Sequence, residues 1–213
     1  MRQDRVPAYS RNVCRHIAAI VFAALIFLFS TFPTSAFSEN DSLIQRTIHA
    51  IQGDGAQTVP SPTSVEVAFS PNGGATALVV KAIMSAKQSI HVAAYSFTSR
   101  PIAKALVDAH KAGIDVEIVV DHDQIQKDNH SEAAWVAAAG IPVRVDIVHV
   151  LQHDKYMVID GKNVETGSFN YTNAAEVHNS ENVVVMWDAP QLAATYEADW
   201  KNLWAQAESY AGR

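Results

Sequence analysis

Between Val65 and Val120 two kinds of apolar period alternate, and this alternation constrains the fold more than any other feature of the chain. Val65 to Phe69 alternates as a strand does and runs into the turn residues Ser70-Pro71-Asn72-Gly73-Gly74. Leu78, Ala82 and Ala86, flanked by Val79 and Ile83, repeat at helical spacing. Ile90 to Tyr95 is then an almost continuous apolar run, as a strand buried on both faces would be. A second helix follows, with Ser99 as a candidate cap, Pro101 in its first turn, Ile102, Leu106 and Ala109 on one face, and Gly113 at its end. Val116 to Val120 is a further apolar run. Strand, helix, strand, helix, strand in this order predicts an α/β fold: a mixed, largely parallel β-sheet sandwiched between helices.

The remaining elements complete one domain over residues 63–210. A short helix is expected near Ser131 to Ala139, stopped by Gly140, and Val143 to Val148 alternates as a strand. Val183 to Trp187 is another apolar strand. Asp188 and Pro190 launch a last helix, whose Leu192, Tyr196, Trp200, Leu203 and Ala207 form an apolar stripe. Trp200 and Trp204 read as packing groups on that stripe. Residues 39–62, with Gly53, Gly55, Pro60 and Pro62, read as a linker or loosely packed lead-in.

Residues 1–38 read as a signal peptide. Arg2, Arg5, Arg11 and Arg15 precede thirteen uncharged, apolar residues from Ile17 to Phe29, and small residues follow around Ser35, Ala36 and Ser38. The alternative, a retained membrane anchor, needs about 20 apolar residues. Export to the periplasm or outside the cell is therefore expected, with no stable membrane anchor once the leader is cleaved. The only cysteine, Cys14, leaves with it, so neither a disulfide nor a thiol nucleophile is available to the mature chain. Removing residues 1–38, which carry four Arg and one Asp, takes the formal charge from −6 to −9. That sign opposes long-range capture of polyanions.

Between the expected strands at 143–148 and 183–187 lies the segment His153 to Asn170, reading HDKYMVIDGKNVETGSFN. Its His153, Lys155, Asp160, Gly167, Ser168 and Asn170 form H-x-K-x4-D-x6-G-S-x-N. Were His153 to Ile159 a strand, His153 and Lys155 would share a face and Asp160 would have the opposite parity. Ser168 and Asn170 are likewise two apart, just after Gly167, where the backbone can approach a ligand closely. An imidazole, an ammonium, a hydroxyl and an amide on two adjacent runs suit phosphate. Lysine supplies charge, Ser and Asn supply directional donors, and imidazole can attack phosphorus or shuttle protons near neutral pH.

This spacing resembles the HKD signature of the phospholipase D superfamily, and most resembles its small, single-motif bacterial endonucleases. The likeness runs from about Val65 to Tyr210 and includes Ala94-Tyr95-Ser96-Phe97-Thr98, Val164-Glu165-Thr166-Gly167-Ser168-Phe169-Asn170 and Asn179-Ser180-Glu181-Asn182. The resemblance implies that His153 is a nucleophile forming a phosphohistidine. Lys155 and Asn170 would hold the non-bridging phosphate oxygens with help from Ser168, and Glu181 would hydrogen-bond and orient the histidine. Asp160 and Gly167 would be structural members of the motif. The family reaction uses two histidines, one to attack and one to protonate the leaving oxygen. With one motif and no internal repeat, the second His153 must come from another copy, which predicts a homodimer with a composite active site.

Paired Lys155 and Asn170 side chains could replace a metal ion in offsetting phosphorane charge, so no cofactor and no metal are expected. Asp121-His122-Asp123 is the one local cluster resembling metal ligands, and it reads as a solvated loop. The leading expectation for substrate is nucleic acid, DNA with RNA as a further candidate. The alternative is a phospholipase D acting on phospholipid head groups, against which the mature chain offers no evident amphipathic or basic membrane-binding segment. A catalytically silent binding module is a third reading, opposed by the intact His153, Lys155, Ser168, Asn170 and Glu181.

Overall fold

The computed structural model describes residues 58–127 and 131–210. The expected signal peptide, 1–38, and residues 39–57 of the expected lead-in lie outside the described residues. Eight strands form one sheet: β1 (Ser64–Ser70), β2 (Ser89–Ala94), β3 (Asp115–Asp121), β4 (Val143–Asp146), β5 (Lys155–Ile159), β6 (Asn163–Gly167), β7 (Glu181–Trp187) and β8 (Glu208–Ser209). The helices are α1 (Ala75–Met84), α2 (Arg100–Lys111), α3 (His122–Lys127), α4 (Ala133–Ala138), α5 (Asn173–Val177) and α6 (Pro190–Gln206).

The sheet order is β1-β7-β6-β5-β2-β3-β4-β8. It is mixed, as expected, but parallel pairing is confined to β2-β3-β4. The remaining pairings, β1-β7, β7-β6, β6-β5, β5-β2 and β4-β8, are antiparallel, so "largely parallel" describes only the segment that follows the strand–helix alternation. The cause is the β5–β6 hairpin. Asp160 and Gly161 at its tip both have positive φ, 55° and 61°, and Lys162 N donates back to Ile159 O. Two successive left-handed residues make the tight turn that reverses a strand onto its antiparallel neighbour.

Alternation along the strands gives each face its own core. Ile90, Val92, Val116, Ile118, Val120, Met157, Ile159, Val183 and Val185 point to one face, where Val79, Ile83, Ile102 and Leu106 of α1 and α2 cover them. Ala93, Val119, Tyr156, Val158 and Val164 point to the other, covered by Ala193, Trp200 and Leu203 of α6. Trp200 is buried and stacks on Trp204 at 5.0 Å, in keeping with their reading as packing groups. Ser99 sits at the N-cap of α2 without making a side-chain capping bond.

One buried pair makes the fold pH-sensitive. Glu165, fully buried on β6, accepts a hydrogen bond from the Tyr171 hydroxyl at 2.6 Å. Burial pushes its carboxyl from 4.5 up to about 8. Between those pH values the folded chain keeps a proton that the unfolded chain has lost, so stability falls as pH rises from about 4.5 to about 8 and levels off above. Glu165→Gln keeps the shape and the acceptor. It is expected to remove a slope of about 1.4 kcal/mol per pH unit, read from urea midpoints measured between pH 5 and pH 8.

Candidate active site

The motif residues gather where the carboxyl end of β2 meets the start of β5, the end of β6 and the start of β7. Ala94 pairs with Lys155, and just beyond them Tyr95 N donates to Asp154 O at 3.0 Å. Lys155 is the first residue of β5, so His153 lies outside the strand, and the expected strand start at His153 is corrected by two residues. Two buried aspartates at the ends of β3 and β4 explain the shortening. Asp146 and Asp121, paired in register, take the loop backbone: Asp146 accepts from Val148 N at 2.8 Å, and Asp121 accepts from Gln152 N at 2.9 Å. The chain is thereby drawn toward β3 and β4 until one residue before His153.

His153 is exposed and its ring tilts against Tyr95, with centroids 4.5 Å apart. The Lys155 ammonium lies over the same Tyr95 ring at 4.8 Å and donates to the His153 carbonyl oxygen. Burial lowers the pKa of this ammonium, while the nearby Asp154 and Glu181 carboxylates raise it. Tyr95 is therefore the floor on which nucleophile candidate and cation both rest, and Gln124 Nε2 holds its hydroxyl at 3.0 Å. Gln124 belongs to α3, whose first turn is capped by Asp121 through Gln124 N at 2.9 Å. The Asp121-His122-Asp123 run is thus the direct junction of β3 with α3 rather than a solvated loop, and Asp121 is a buried anchor.

Gly167 ends β6 beside β7, where an added Cβ would sit 2.1 Å from the Asn182 carbonyl oxygen; only glycine allows this approach. The contact brings Ser168 to Glu181. Ser168 Oγ donates to Glu181 Oε2 at 2.6 Å and accepts from Asn182 N at 3.1 Å, while Asn179 Nδ2 donates to Glu181 Oε1 at 3.0 Å. The expected bond from Glu181 to the histidine is not formed among the described residues. Both carboxylate oxygens of Glu181 are engaged within its own β6–β7 corner. Asn170 carries a buried Oδ1 with no hydrogen-bond partner among the described residues, an orphan polar atom of the kind that ligand sites retain.

Asp160 stands apart, as its parity suggested. Its carboxylate accepts from Lys87 N, Gln88 N and Ser89 N at 3.0, 2.7 and 3.1 Å, fastening the β5–β6 turn to the start of β2. A cleft of about 620 Å³ opens beside the motif, lined by His153, Lys155, Ser168, Tyr156, Tyr196 and Asp199 among others. The Tyr156 hydroxyl donates to Asp199 at 2.7 Å, and burial with this partner holds the phenol well above its usual range. Asp154 is likewise raised, by burial first and then by Asp199. The cleft thus combines a histidine and a lysine with two carboxyl groups. Asp146 and Gln124 had no signal in the sequence, and Asp121, read there as part of a solvated loop, shows its role only through Gln152 N, 31 residues away. Tyr95, in the segment Ala94 to Thr98, carries no signal in the sequence for its place under His153 and Lys155.

Residues 79–204, more than half of the chain, match the family described as "Cardiolipin synthase, PLD-like domain". The chain belongs to the phospholipase D superfamily. A protein named phospholipase D from Rickettsia bellii is 38% identical over 140 residues, covering 66% of this chain and 69% of that one. A mitochondrial cardiolipin hydrolase from Chlamydomonas reinhardtii is 33% identical over 120 residues, or 56% and 53% of the two chains. The crystal structure of Nuc from Salmonella typhimurium, a phospholipase D family member, superposes with a TM-score of 0.67 at 48% identity, covering 69% of this chain and 97% of Nuc. The resemblance read from the motif is borne out for the superfamily, its Nuc-like branch and its mixed α/β fold. This phospholipase D-like chain is a hydrolase of phosphodiester bonds, with one motif per chain.

Proposed function

We propose that the chain is an exported, sequence-nonspecific endonuclease that cleaves DNA, and RNA as well, without a metal ion, as a homodimer with one composite site. The observation that carries this reading is the likeness to Nuc along 97% of that chain's length, with a single H-x-K per chain. His153 attacks phosphorus and forms a phosphohistidine as the P–O bond to the leaving strand breaks. His153 of a second copy gives its proton to that leaving oxygen, then takes one from the water that hydrolyses the intermediate. Lys155, whose head already lies beside the His153 carbonyl, and Asn170 receive the non-bridging oxygens. Ser168 helps from the corner that Glu181 holds. The leader-like residues 1–38 support a periplasmic or secreted location.

A second reading has its own support. Proteins named phospholipase D from several Rickettsia species match about two thirds of the chain, and the Asp154 and Asp199 carboxyl groups in the cleft oppose a polyanion. In that reading the same residues hydrolyse phospholipid head groups. One assay separates them: wild type and His153→Ala, in EDTA, with plasmid DNA, RNA and phosphatidylcholine vesicles. The expected result is nicking of plasmid and cleavage of RNA by wild type alone. Choline release without nicking would replace the nuclease reading with the lipase one. Turnover only after a divalent ion is restored would overturn the metal-free mechanism.

A further inference from the structure

The face of the sheet under α6 carries a second cluster, at the opposite end of β2 from Tyr95, that the phosphodiester chemistry does not use. We propose that His91, Asp115 and Glu117 bind one divalent transition cation, zinc foremost, with Glu197 orienting the histidine.

The register of two parallel strands builds the cluster. His91 on β2 stands directly opposite Glu117 on β3, and Asp115, two residues earlier on the same strand, shares the face of Glu117. One ligand atom from each side chain can be chosen so that all three lie within 4.8 Å of one another. Tetrahedral zinc holds nitrogen and oxygen ligands at about 2.0–2.2 Å, hence about 3.5 Å apart, so the three atoms would have to close in from separations of up to 4.8 Å. His91 Nε2 already lies 3.7 Å from Glu117 Oε2.

The ring, by contrast, is fixed. Its Nδ1 lies 2.8 Å from Glu197 Oε2 of α6, and its face stacks on Trp200 at 4.2 Å with only 13° between the planes. A carboxylate behind the far ring nitrogen is the arrangement that sets the tautomer and basicity of metal-binding histidines. With Nδ1–H donating to Glu197, the lone pair on Nε2 faces the Glu117 carboxylate at 3.7 Å, an arrangement that a cation between the two would join. Among the described residues, the nearby basic side chains make their direct contacts elsewhere, and Arg144 acts on Glu117 only through space. Lys201 is 3.4 Å from the other oxygen of Glu197, and the Arg144 guanidinium is spent over the Trp204 ring and on the Trp204 carbonyl oxygen. Histidine nitrogen with carboxylate oxygen is a zinc donor set, whereas magnesium and calcium prefer oxygen alone. A bound ion would pin β2 to β3 and leave a fourth position open to water.

The site lies four residues along β2 from Tyr95, about 13 Å by strand rise, so its occupancy and the phosphodiester reaction are separable. The test uses the full chain without a histidine tag, stripped with chelator, dialysed, and titrated with zinc chloride by calorimetry and thermal melting. One equivalent of zinc per chain and a melting temperature higher by about 5 °C are expected. The shape-preserving double variant Asp115→Asn/Glu117→Gln and, separately, His91→Gln should lose both effects while turnover at 25 °C stays unchanged. Zinc binding that survives in both variants would place the ion elsewhere, at His149 with Asp146 for instance, and overturn the assignment. Absence of zinc binding to the wild type would do so too.

Discussion

Replacing His153 by alanine is expected to lower phosphodiester cleavage by at least about 10^4-fold while leaving the fold intact. The magnitude is that of losing a nucleophile together with its general-acid partner, since one substitution in the proposed two-fold composite site removes both. The fold should survive because His153 is exposed, lies outside β5, and offers the rest of the chain its carbonyl oxygen, through which it meets Lys155. The same variant tests the dimer. In a ninefold excess over wild type, after subunit exchange, it should cut the activity of each wild-type chain by about tenfold, because nearly every wild-type chain is then paired with an inert one. Wild-type activity unchanged after verified exchange would show that one chain completes the reaction alone.

Asp160→Ala should have the largest effect on stability and little on chemistry. The substitution removes an ionised acceptor from three backbone N–H groups, at Lys87, Gln88 and Ser89, and asks alanine to hold a φ of 55°. Each charged hydrogen bond contributes about 1.5–3 kcal/mol and the left-handed backbone costs about 1–2 kcal/mol for alanine. Partial access of water to the loop discounts the sum. A loss of about 3–4 kcal/mol in urea unfolding is expected. Asp160→Asn, which keeps one acceptor oxygen and tolerates the backbone, should recover about half. Turnover per folded molecule should not change. A catalytic loss without a stability loss would move Asp160 into the reacting centre.

The two predictions mark what could be read from the sequence and what could not. Apolar period located β1, α1, β2, α2 and β3 in order, because each buries one stripe or one run and period is what burial selects. It could not assign strand direction across chain segments. The Asp160-Gly161 pair is a recognised signal for a tight antiparallel hairpin and would have corrected the parallel reading of the sheet, had it been weighed as a turn rather than as part of a motif. Strand parity separated Asp160 from the working residues correctly, yet it extended β5 to His153. Parity assumes a regular strand, and here the backbone is diverted by Asp121, 31 residues away from its partner Gln152. The Glu181 bond was carried over from resemblance. In this chain, the approach that Gly167 permits gives that carboxylate to Ser168 instead.

The stretch from Ile147 to Asp154 carries His153 and leads directly into Lys155. It contains no regular element, and Ile147, Val148, Val150 and Leu151 are all exposed, Val150 at 94%. The two aspartates beneath, the buried Gln152 and the bond from Tyr95 N to Asp154 O hold its ends, and the residues from Ile147 to Leu151 have few buried contacts of their own. Such a segment opens at far lower cost than the sheet on which it rests. Activity is therefore expected to fade on heating at a lower temperature than the one at which the sheet melts, so that inactivation and unfolding, followed side by side, should give two separate midpoints.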